Sequence, residues 1–130
     1  MLYASDLITQ YLPWYYLVAQ SLHQFKLPHW IPSLYGIGYP LLAEGETGTL
    51  SPLNALVLFI FPFPLAVNGL YLVYFLIAVT GVIHFLKPYR LSFLARLLGG
   101  LVFSLSGFMV SRYFQPAIIF SAALLPWGMS

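Results

Sequence analysis

Few residues in this 130-residue chain have side chains suited to chemistry, so their positions can be taken one at a time. Asp6 stands alone as an acid near the start of a helical pattern. It could act as a general base on an acceptor hydroxyl, or orient a substrate. Equally, Asp6 beside Ser5 could serve only as a helix-start charge or cap. Gln10 follows four residues later, on the same helical face, and could share either role. Glu44 and Glu46 flank Gly45 in the loop Ala43-Glu-Gly-Glu-Thr-Gly. With Asp6 they form a conceivable divalent-cation set, because hard cations prefer carboxylate oxygens. Their spacing matches no metal signature, so no metal or other cofactor is expected. Arg112 could hold a phosphate through a forked contact, or could simply snorkel to a membrane surface. His23, His29 and His84 show no ligand spacing. No Ser/His/Asp arrangement, phosphate-cradling glycine loop or zinc motif is present.

The composition says where such residues must work. The chain is 61% hydrophobic, 18% aromatic and only 6% charged, whereas soluble domains are about 25% charged. Eight charges (Asp6, Lys26, Glu44, Glu46, Lys87, Arg90, Arg96, Arg112) cannot cover the surface of a water-soluble domain of this length. A polytopic all-α membrane protein is expected, with the lipid bilayer as its first partner. Disorder is excluded by the hydrophobicity. Five scattered cations make no basic patch, so nucleic acid is not an expected partner. The absence of cysteine removes disulfides and thiol chemistry.

The chain has room for one compact bundle of spans. Residues 1–26 read as an interfacial helix, since Asp6, Gln10, Pro13, Gln20 and Gln24 share one side while Leu7, Tyr11, Trp14, Tyr15 and Leu22 lie elsewhere around it, with a thin span over the uncharged residues 7–25 as the alternative. Residues 27–51 hold three prolines and four glycines before Pro52 is reached and read as an external loop; irregular backbone of this kind cannot face lipid. Ser51 as N-cap and Pro52 at the first position open a short half-membrane helix over 52–61. Pro62 and Pro64 break it from a transmembrane helix over 65–86. A second transmembrane helix is expected over 91–113, with small residues at Gly99, Gly100, Ser104, Ser106 and Gly107 for close helix packing. A truncated helix occupies 117–130, so the chain reads as a fragment of something longer. Lys87, Arg90 and Arg96 cluster around one loop, while all three acids precede residue 47. The positive-inside rule therefore makes loop 87–90 cytoplasmic and residues 1–52 extracytoplasmic, with Arg112 on the acids' side.

The order of motifs resembles a known family. Asp6-x-x-x-Gln10-Tyr11-x-Pro13-Trp14 is followed by Pro-His-Trp-Ile-Pro, Gly-Ile-Gly-Tyr-Pro-Leu-Leu-Ala-Glu-Gly, Thr-Leu-Ser-Pro-Leu-Asn and Leu-Ser-Gly-Phe. From Asp6 to about Trp127 this is similar to the bacterial YfhO-like multi-pass membrane proteins, relatives of the GT-C glycosyltransferases. The resemblance implies a GT-C-like fold in the bacterial inner membrane, with a first transmembrane helix before Asp6 and further helices after Ser130. It also implies transfer of a sugar from a polyprenyl-phosphate carrier to a cell-envelope acceptor on the outer face. In that scheme Asp6 holds the place of the catalytic acid and Glu44 that of a loop acid, while Glu46 stands where the family pattern has glutamine. Gln10, Glu44 and Arg112 become candidate substrate-binding residues. A transporter or flippase half, with the broken helix and loop lining a pathway, is the alternative from another class; a purely structural bundle is the third.

Overall fold

The computed structural model describes residues 7–63 and 65–130, and Asp6 and Pro64 lie outside them. Among the described residues the chain is helical, and its one β-type pairing is an isolated bridge between Ile31 and Tyr39. Two compact units divide it, residues 1–70 and 71–130.

In the first unit a single π-helical turn, Leu7–Tyr11, runs into α1, Leu12–His23. Pro13, second in α1, follows directly on that turn, where its missing amide breaks the regular hydrogen-bond ladder. Tyr11, Trp14, Tyr15, Val18 and Ala19 are buried, a spacing of three and four residues that places them along one stripe. The polar Gln20 and Gln24 are exposed. At its end the helix closes with Phe25 N–H on Leu22 O (2.8 Å) and Lys26 N–H on Ser21 O (2.9 Å). This closure needs a left-handed residue, usually glycine; here Phe25 supplies it at φ 55°.

The segment after α1 is organised by its own backbone. Ile31 and Tyr39 exchange hydrogen bonds of 2.9 and 3.1 Å, and Leu42 N–H reaches back to Pro28 O at 3.0 Å. A short helix, α2 (Leu41–Glu44), ends at Gly45 with φ 76°. Helix α3 spans Pro52–Ile60. Ser51 takes the extended N-cap backbone, although its hydroxyl makes no capping bond, and Pro52 takes the first position. Phe61 is extended, as a residue before proline must be. Helix α3 packs on α1, where His23 stacks on Phe59 at 5.7 Å.

Helix α4, Leu65–Phe85, has 21 residues, about 31 Å at ~1.5 Å per residue and so the thickness of a bilayer's hydrocarbon core. A 3₁₀ turn, Lys87–Tyr89, follows it and ends at Arg90 in the left-handed region. Helix α5, Phe93–Ser104, starts with the Ser92 hydroxyl accepting from Ala95 N–H at 3.2 Å. The expected continuous helix over 91–113 is interrupted after Ser104. Ser106 adopts extended N-cap geometry and starts a new short helix, α6, Gly107–Ser111. Helix α7 spans Pro116–Gly128.

Two helical segments are long and apolar enough to cross a membrane: Leu65–Tyr89, mean hydropathy 2.0, and Phe93–Ser111, mean hydropathy 1.8. Only 33% and 17% of their most apolar stretches are buried within the chain. Leu72, Leu76, Leu98, Val102 and Leu105 all stand exposed on them.

Candidate functional site

Three of the chemically capable side chains are engaged by hydrogen bonds in the first unit. Gln10, in the π-helical turn, donates its amide to Glu46 Oε2 at 3.2 Å across 36 residues of sequence. Tyr39 donates its hydroxyl to Glu44 Oε2. Tyr39 is itself held by α1, because its ring stacks on Trp14 with centroids 5.7 Å apart and planes 23° from parallel. Trp14 is buried at 2% exposure, so this stack has a fixed base. Both loop carboxylates are thereby tied to the start of α1, one directly and one through the Trp14–Tyr39 pair.

Local backbone explains why the two acids find different partners. Glu44 ends α2, and Gly45 at φ 76° turns the chain before Glu46 leaves it. Thr47 and Thr49 then plunge inward, buried, with their hydroxyls 2.7 Å apart. Gly48 between them also has positive φ, and a Cβ there would run into the side-chain amide of Asn54, itself buried near the start of α3.

An ionised carboxylate accepts about four hydrogen bonds. Glu44 and Glu46, both half-buried, are engaged by the neutral donors Tyr39 and Gln10, and a carboxylate's further lone pairs suit additional hydroxyls. Hydroxyl-rich ligands such as sugars match that chemistry. Gln10 holds Glu46 by this bond, so an uncharged amide positions the loop's acid.

The remaining candidates stand elsewhere. Asp6, the expected catalytic acid, lies outside the described residues. Arg112 is exposed at the end of α6 in the second unit and donates Nη1 to Gln115 Oε1 at 3.0 Å. His84 stacks on Trp127 at 5.2 Å. Among the described residues no three His, Cys, Asp or Glu side chains gather as a metal site. The sequence reading singled out Gln10 and Glu44 but missed Tyr39, Thr47, Thr49 and Asn54. Tyr39 carried one available signal, its place in the Gly-Tyr-Pro turn five residues before Glu44.

Comparison with family models, with curated proteins and with solved structures returns no match for this chain.

Proposed function

We propose that this chain is a membrane segment of a GT-C-like glycosyltransferase resembling the YfhO-like proteins. It would transfer a sugar from a polyprenyl-phosphate carrier to a cell-envelope acceptor at the extracytoplasmic face of the bacterial inner membrane. The observation that carries this reading is the Gln10–Glu46 bond. It joins the loop acid Glu46 to a residue four positions after Asp6, where an acid for catalysis is expected. The exposed apolar surface of the two membrane-length helices supports the polytopic, membrane-embedded part of the reading.

In this reading Asp6 takes the proton from the acceptor hydroxyl as that oxygen bonds to the sugar's anomeric carbon. The bond from that carbon to the carrier phosphate breaks, and the phosphate leaves with the electron pair. Gln10, Glu44 and Glu46 receive sugar hydroxyls. In the complete protein Asp6→Asn is expected to lower transfer at least ~100-fold, with membrane insertion unchanged. Full transfer by that variant overturns Asp6 as the base. In liposomes, carrier-linked sugar that crosses the bilayer without being consumed overturns the transferase in favour of a flippase.

A further inference from the structure

We propose that the cavity at the end of α4, lined by His84, Lys87 and Arg90, binds the phosphate headgroup of an anionic phospholipid. This goes beyond sugar transfer and rests only on α4 crossing the membrane. The cavity holds about 460 Å³, within the ~300–1,000 Å³ usual for small-ligand sites. Pro88 and Ser130 complete its lining. The second unit carries Lys87, Arg90, Arg96 and Arg112, and from Thr47 to Ser130 the sequence contains no Asp or Glu.

The lining is built rather than incidental. The His84 ring lies flat on Trp127, planes 16° apart, and the Trp127 indole donates to Ile77 O at 3.0 Å. That indole fills the space beside Gly81 where a Cβ would sit. Arg90 holds a left-handed backbone at φ 56°, a conformation unfavourable for a non-glycine residue and retained where the surroundings enforce it. On the following helix, Arg96 Nε is shielded from solvent and has no hydrogen-bond partner among the described residues.

Lysine supplies a point charge and arginine a planar fork, the pair of geometries that phosphate oxygens accept. The cavity sits where a membrane-length helix ends, at the depth of lipid headgroups. Tyr89, Leu91, Phe93 and Leu94 stand exposed in the adjoining turn and helix start, offering apolar surface to the acyl chains of the same lipid. Basic clusters directly beyond a membrane helix recognise anionic headgroups in this way.

The test reconstitutes the full chain into phosphatidylcholine nanodiscs containing equal, minor amounts of phosphatidylglycerol and a chain-matched labelled phosphatidylcholine. Co-purifying lipid is then counted by native mass spectrometry. Incorporation itself reports membrane insertion, separately from lipid choice. Phosphatidylglycerol is expected to be enriched, and Lys87→Gln and Arg90→Gln are each expected to reduce the enrichment about fivefold, the weight of ~1 kcal/mol per cation at an anionic lipid surface. Lys26→Gln, a cation of the other unit, is expected to leave it unchanged, which separates a site from net charge. Equal retention of the two lipids, an equal loss with Lys26→Gln, or displacement of the lipid by millimolar inorganic phosphate overturns the proposal.

Discussion

Gly48 shows how much a single position contributes to the candidate site. Its left-handed backbone and its contact with the Asn54 amide are separate constraints. A side chain there would strain φ and push a buried amide. Gly48→Ala is expected to destabilise the chain by about 2 kcal/mol, read as a fall in thermal midpoint in detergent. The loss should extend to the Gln10–Glu46 bond, because Thr47 and Gly48 set where Glu46 leaves the loop. An unchanged midpoint would show that the turn between the acids and α3 has room to relax. Glu44 teaches the companion lesson. Its neighbour Tyr39 is only five residues away, yet the pair matters because Trp14, twenty-five residues before Tyr39, fixes the phenol ring.

At the scale of elements, the approach of α5 to α4 depends on glycine. A Cβ on Gly100 would lie 2.8 Å from the Val79 carbonyl oxygen, a backbone atom that cannot swing aside. Gly100→Leu is therefore expected to force these helices apart and lose about 3 kcal/mol, at the upper end of overpacking costs. Gly107 opens α6 with nothing within 4 Å of its would-be Cβ. Gly107→Ala is expected to hold stability or gain up to ~1 kcal/mol from helix propensity. Thermal unfolding of the two variants side by side separates packing from propensity. Much at this scale was legible in the residues themselves. Ser51-Pro52 starts α3 and Phe61 before Pro62 ends it, each through backbone hydrogen bonding within four residues. The interruption at Leu105 was not legible, because Ser104 to Gly107 reads equally as small packing residues or as a cap inside an apolar run. The Ser106 hydroxyl, accepting from Met109 N–H, chose the cap.

For the whole molecule the deciding question is what solvates α4 and α5. Leu76 lies in the middle of the first membrane-length segment and is 54% exposed. On a water-facing surface Leu76→Arg would change stability by no more than ~0.5 kcal/mol. In a bilayer it should cost ~2.5–3.5 kcal/mol of insertion, about a hundredfold shift toward the non-inserted form. The carbonate-resistant membrane fraction of the full chain measures this directly. Undiminished membrane retention of Leu76→Arg would count against a lipid-facing position.

The sequence by itself determined the apolar, helix-rich character, the membrane length of two segments and the separation of acids from cations along the chain. These depend on composition, periodicity and capping, which act over a few residues. Only the tertiary structure decided that Glu46 rather than Glu44 meets Gln10, that Tyr39 occupies Glu44, and that His84, Lys87 and Arg90 share one cavity. The first of these contacts spans 36 residues. No local preference encodes it, because it exists only once a left-handed glycine has turned the loop and a buried tryptophan has given it something to rest on.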